Sequence, residues 1–321
     1  MTDAEYLAME KSTIVRSSKP CPLLPLARAG NRVLSAVAPS LAAGLAERLF
    51  LTPPRPRRPT SEVSLLATAR ARPLFVGTRH IELWLWGTGP SVLLVHGWGG
   101  RGTQLGPFVE PLVARGFSVV TFDAPGHGAS GSGVVTIPEM VAATRAAAAS
   151  RGPLAGLIAH SVGATVAARA LYEGLDAGAA VFIGPAADLV GPAGRFTAAL
   201  GFSRDVGARM HARIAARTGQ PWSAFDVQEL GPSLRTPLLV IHDHGDAEVP
   251  WQHGRVVTRA WPGASLLLTD GLGHRRILRD PDVVAAAVAF LAARTEERRL
   301  APLVTAAVET ADPLGELREV I

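Results

Sequence analysis

The run Ala159-His160-Ser161-Val162-Gly163-Ala164 joins a short stretch of apolar residues, 154–159, to a longer one, 162–173, whose apolar positions recur at three- and four-residue steps. The first pattern predicts a buried strand and the second a helix packed along one face. A serine at such a junction usually reads G-x-S-x-G, because small residues two before and two after it let the sharp turn pack without clashes. Gly163 keeps the second of these positions, while Ala159 adds one methyl at the first. Ser161 has two readings here: a cap for the helix that follows, or a nucleophile projecting from the turn. In the second reading the Val162 N–H, at the helix start, is an oxyanion donor.

Working outward, the same alternation repeats. Strands are expected at 80–86, 91–96, 117–122, 154–159, 179–183, 237–242 and 264–269, and helices at 103–114, 137–151, 162–173, 251–260 and 281–294. This predicts an α/β fold, with a mostly parallel central sheet and helices on both faces. The rhythm breaks once, where helical stretches at 194–200, 205–218 and 225–230 are too much for a connecting loop and read as a small helical cap. The expected divisions are an N-terminal helical extension with a Pro/Arg linker at 1–60, a first core part at 61–184, the cap at 185–235, a second core part at 236–295 and a C-terminal tail at 296–321.

A serine hydroxyl is a poor nucleophile until a base takes its proton, so the nucleophile reading requires a histidine and a carboxylate to orient it. Asp246 follows the 237–242 strand, and His274, in Gly271-Leu272-Gly273-His274, follows the 264–269 strand. The order Ser, Asp, His is the one this arrangement takes on this kind of sheet. Asp243 and Glu248 compete for the acid, with spacing that fits less well. After the 91–96 strand comes His96-Gly97-Trp98-Gly99-Gly100, whose glycines let the backbone turn and bring the Trp98 N–H to a developing oxyanion. His96, Gly97, Gly99, His160 and Gly163 are the expected supporting turn residues. The run Asp123-Ala124-Pro125-Gly126-His127-Gly128-Ala129-Ser130 reads as a tight structural loop, with His127 outside the chemistry.

Bulk properties bound the alternatives. The net charge of +5 rests on scattered arginines, with lysine only at Lys11 and Lys19, so nucleic acid is not expected as a partner. The densest basic run, Arg55-Pro56-Arg57-Arg58-Pro59, reads as a solvated linker. One cysteine, Cys21, allows no internal disulfide and no cysteine-based metal site. Residues 1–11 carry Asp3, Glu5 and Glu10 rather than a basic start before an apolar run, so no secretory signal is expected and the location reads as cytoplasmic. Residues 33–51 are apolar but broken by Pro39, Glu47 and Arg48, so no transmembrane segment is expected. Leu41, Leu45 and Leu49 make a helical stripe that needs cover, from the main domain, a second subunit or a membrane interface. Leu300, Leu303, Val304, Ala307 and Val308 form a similar stripe, and a homo-oligomer could use either extension.

With these residues in view, the chain resembles the α/β-hydrolase superfamily from about residue 74 to 294. Its HGWG turn is similar to that of the carboxylesterases acting on pimeloyl-carrier-protein methyl esters. The A-H-S-x-G form resembles small bacterial lipases. The resemblance implies Ser161, Asp246 and His274 as nucleophile, acid and base, Trp98 and Val162 as oxyanion donors, a small-molecule ester of a small or medium acyl group as substrate, and no metal or organic cofactor. Trp98, Phe196, Phe202 and Trp222 suggest an apolar acyl pocket. The rivals are cofactor-free perhydrolase or haloperoxidase chemistry, carbon–carbon bond hydrolysis, and a non-catalytic receptor for a small ligand.

Overall fold

The computed structural model describes residues 23–310, with side chains described to residue 300. Eight strands form one sheet: β1 (Arg70–Val76), β2 (Arg79–Trp86), β3 (Ser91–Val95), β4 (Ser118–Phe122), β5 (Gly156–His160), β6 (Ala180–Ile183), β7 (Leu238–Asp243) and β8 (Ser265–Thr269). Their order is β1-β2-β4-β3-β5-β6-β7-β8, antiparallel from β1 through β4 and parallel from β4 to β8. Every residue of β3 to β7 is buried. Continuous apolar runs, rather than alternation, are what strands covered on both faces require. One hydrophobic core lies on each side, built around Leu93, Leu157 and Phe182 on one face and Leu94, Ile158 and Phe108 on the other.

Strand β1 was not expected. Five of its seven residues are exposed, and Pro73 sits within it, so no burial pattern announces it. Its existence rests on register with β2, from Arg70 opposite Leu85 to Val76 opposite Arg79, on the sheet edge where proline is tolerated. The expected helix at 103–114 divides into a 3-10 turn, Gly102–Phe108, and a short α-helix, Val109–Ala114. Pro107 explains the division, since it has no N–H to donate.

The N-terminal region departs from expectation most clearly. Helices α1 (Leu24–Val37) and α2 (Pro39–Phe50) precede the sheet, and α2 packs on a long helix, Arg204–Thr218, from the segment between β6 and β7. The face it buries is Ala42, Ala43, Ala46 and Glu47, not the leucine stripe: Leu41, Leu45 and Leu49 are 71%, 38% and 42% exposed. Alanines permit a close approach of the two helices, and Glu47 accepts from Arg213 and Arg217 at 2.6 Å each. Burial works to raise the Glu47 carboxyl, and the two guanidinium bonds outweigh it and hold it below the usual range. The Arg55–Pro59 run is exposed at every residue but Arg58, as a solvated linker is, and is pinned to the body at two of its arginines. Arg58 pairs with buried Asp123, donates to Thr103 and lies over the Trp84 ring, while Arg55 donates to the Gly128 carbonyl. Of the C-terminal stripe, Leu300 is partly exposed, and Leu303 to Val308 lie outside the described side chains. Among the described residues no helix is long and apolar enough to cross a membrane.

Candidate active site

The chain leaves β3 toward β4 on one side and β5 toward β6 on the other, so a crevice opens at the carboxyl ends of these central strands. Ser161 sits there, between β5 and the helix Val162–Tyr172. Its backbone has φ 56° and ψ −129°, and it is the only non-glycine residue with positive φ among those described. Its N–H donates to the Ile183 carbonyl at 3.0 Å and its carbonyl accepts from Ala164 at 2.9 Å, which fixes the turn. The side chain makes no cap bond to the helix it precedes. The cap reading therefore does not describe Ser161, whose hydroxyl points elsewhere.

It points at His274. The Ser161 Oγ and His274 Nε2 are 3.0 Å apart, and His274 Nδ1 and Asp246 Oδ2 are 2.7 Å apart. All three residues are less than a tenth exposed. The structure thus brings together Ser161, His274 and Asp246 from the ends of three strands. The other Asp246 oxygen accepts the N–H groups of Glu248 and Val249 at 2.9 and 2.8 Å. Burial works to raise this carboxyl, but bonds from His242, His274 and the Val249 backbone outweigh it and hold it well below the usual carboxylate range. It is a fixed negative charge behind the imidazole.

Asp243 and Glu248 lie close but face elsewhere. Asp243 is wholly buried and accepts from Gly245, Thr269 and Leu272 at 2.8 to 2.9 Å, tying the end of β7 to the loop that carries His274. Glu248 is exposed and pairs with Arg275.

The supporting turn is tightly packed. A Cβ added at Gly97 would lie 2.9 Å from the Ser161 Cβ, and one at Gly163 would lie 2.6 Å from the His96 carbonyl oxygen, so both positions require glycine. The Trp98 turn is thereby pressed against Ser161, with Gly99 beside it lying over Pro54. The Val162 N–H belongs to the first residue of its helix, where no preceding turn supplies an acceptor. His96 is buried, donates from Nδ1 to the Gly97 carbonyl at 2.7 Å and accepts the Ala124 N–H on Nε2 at 2.9 Å. Burial lowers its pKa to about 4, so it is a neutral strut. His160 is likewise pushed down to about 3 by burial, with His274 nearby, and donates from Nε2 to the His274 carbonyl at 2.9 Å.

Three contributors escaped the sequence reading. His242 donates from Nε2 to the Val249 carbonyl at 3.0 Å and reaches Asp246 Oδ2 at 3.3 Å, bracing the loop that carries Asp246. A polar residue ending an otherwise apolar strand was its signal. Gly184 has φ +53°, and a Cβ there would come within 3.2 Å of His274 Nδ1. Phe50, from α2, stacks with Trp98 and meets Phe196 and Trp222 edge-on or tilted, in an apolar cavity of about 580 Å³. Phe202 does not line that cavity and packs instead in the core between α2 and the Arg204–Thr218 helix. No local signal marked Phe50, because it reaches the site through the tertiary docking of α2.

The alpha/beta hydrolase family model matches residues 92–287. A thermophilic esterase from Thermogutta terrifontis shares the fold at 21% identity and a TM-score of 0.54, over 71% of this chain and all of that one. A bromoperoxidase from Bacillus anthracis does so at 20% identity and a TM-score of 0.54, over 69% of this chain and 99% of that one. A protein of Pseudomonas syringae pv. syringae, named as a candidate carbamate hydrolase, RutD, is 39% identical over 57 residues. That match spans 18% of this chain and 22% of the relative's length.

Proposed function

This chain belongs to the alpha/beta hydrolase family, and we propose that it is a serine hydrolase cleaving a carboxylic ester of a small or medium acyl group through an acyl-enzyme. The observation that carries the proposal is the hydrogen-bonded line from Ser161 through His274 to Asp246, at 3.0 and 2.7 Å, on a backbone turn strained at the serine. Strain at a buried polar residue persists only where its surroundings over-determine it, and here they aim the hydroxyl at a base.

In the proposed reaction Ser161 Oγ attacks the ester carbonyl while His274 Nε2 takes its proton. Asp246 holds the imidazole in the tautomer with its free lone pair on Nε2 and stabilises the cation that forms. The developing oxyanion lies against the N–H groups of Trp98 and Val162, where loss of one donor typically costs about 10²–10³ in kcat. His274 returns the proton to the leaving alcohol, and a water activated by the same base then cleaves the acyl-enzyme. An acyl chain fits the cavity lined by Phe50, Trp98, Phe196 and Trp222.

Bromoperoxidases share this fold, and at 20% identity the likeness speaks for the fold alone. Products from p-nitrophenyl esters of increasing acyl length, from a β-diketone, and from acetate with hydrogen peroxide and bromide test the choice. Ester turnover with a chain-length optimum is the expected result; halogenation or peracid formation without ester turnover would overturn it.

A further inference from the structure

Two cavities meet at Trp98, Pro54 and Glu248, which line both. The apolar one, about 580 Å³, includes Val162 in its wall; the other, about 770 Å³, includes Ser161 and His274. This division orients a substrate, an argument that rests on the serine-hydrolase reading above. The leaving group must receive its proton from His274 Nε2, and His274 lies only in the wall of the larger cavity. The leaving group therefore departs into the larger cavity, and the acyl chain extends into the apolar one.

The larger cavity is cationic. Arg55, Arg101, Arg275, Arg276 and Arg279 line it, against a single carboxylate, Glu248. Arg101 is neutralised by buried Glu62, and Arg275 by Glu248. Among the described residues, Arg55, Arg276 and Arg279 have no carboxylate within ion-pair distance. Two of them are held in place by backbone carbonyls, Arg55 on Gly128 and Arg276 on Gly271 and Leu272, which fix the guanidinium without cancelling its charge. A planar fork of donors with an uncancelled charge suits a phosphate oxygen pair, and three such groups exceed what one carboxylate could use.

We infer that the substrate is a medium-chain acyl ester or thioester whose leaving group carries a phosphate. In the step, the Ser161 Oγ bond to the acyl carbon forms and the bond to the leaving oxygen or sulfur breaks. The proton on His274 goes to the departing phosphate-bearing alcohol or thiol, and water then releases the fatty acid.

Two matched pairs test this: 1-decanoylglycerol 3-phosphate against 1-decanoylglycerol, and decanoyl-CoA against the decanoyl thioester of N-acetylcysteamine. The expected result is a kcat/KM for the phosphate member of at least one pair about tenfold or more above its neutral partner at low salt, with the gap narrowing as salt is added. The pair that shows it identifies the phosphate's source. The double variant Arg55→Gln/Arg279→Gln should lower that ratio about fivefold or more, and Arg279→Lys should retain most of it. Arg209→Gln, on an exposed site paired with Asp205, should leave the ratio as it is. Ratios near or below one in both pairs, or a ratio unmoved by the double variant, with p-nitrophenyl decanoate still turned over, would overturn the inference and leave the serine-hydrolase reading standing. Absence of turnover by the wild-type protein on all of these esters and thioesters, the p-nitrophenyl ester included, would overturn both.

Discussion

Ser161 occupies a backbone conformation that costs a non-glycine residue on the order of 1–3 kcal/mol. Replacing it by alanine keeps that cost and removes the hydroxyl, whereas glycine removes both. Ser161→Ala is accordingly expected to lose at least about 10⁴-fold in ester kcat with a nearly unchanged melting temperature, and Ser161→Gly to melt higher than Ser161→Ala. Thermal melts beside ester assays read both effects. The two buried aspartates separate in the same way. Asp246→Asn should cost about 10⁴-fold in kcat, because an amide favours the wrong imidazole tautomer. Asp243→Asn should act chiefly on stability, since its carboxylate ties β7 to the His274 loop; a larger catalytic loss there than at Asp246 would show that the acid is misassigned. The Asp246 carboxyl is held far below the usual range, so it stays ionised through mild acid. A flat activity profile into acid would contradict His274 as base, since the base must be unprotonated to take the serine proton.

Helix α2 shows what element-level reading can and cannot supply. Its helical character was legible, and so was its amphipathic pattern, but hydrophobicity pointed to Leu41, Leu45 and Leu49 as the buried face. The structure buries the alanines instead, because only small side chains let α2 sit close enough for Glu47 to bond Arg213 and Arg217. Ion-pair complementarity between segments about 170 residues apart has no local trace. The strand and helix alternation from β2 onward, and the turns bearing Ser161, Asp246 and His274, were legible because burial periodicity and glycine placement are local. Strand β1 was not, being an exposed edge set by pairing. Since α2 delivers Phe50 to the apolar cavity, Phe50→Ala is expected to raise KM more for decanoyl than for acetyl esters, as a lost aromatic contact removes apolar area from a long chain only. Equal effects on both esters would place the acyl chain elsewhere.

At the scale of the whole molecule, the buried histidines couple the fold to pH. His96, His127 and His160 are pushed down by burial to about 4, about 3 and about 3, from an ordinary value of 6.5. The unfolded chain takes up protons below about pH 6.5 that the folded one refuses, so this stability is full above that pH and is lost as pH falls toward about 4 for His96 and about 3 for His127 and His160. Each such group contributes about 1.4 kcal/mol per pH unit within the window. The melting temperature should fall steadily from pH 7 to 5, and a constant value across that range would contradict neutral buried imidazoles. The same buried imidazoles, His96 and His160, pack around the turn that carries Ser161. The most direct test is the intact-protein mass after incubation with a fluorophosphonate, beside a Ser161→Ala control. One adduct on the wild-type chain and none on the variant is the expected result; no adduct on either, or an adduct that survives in Ser161→Ala, would contradict Ser161 as the nucleophile.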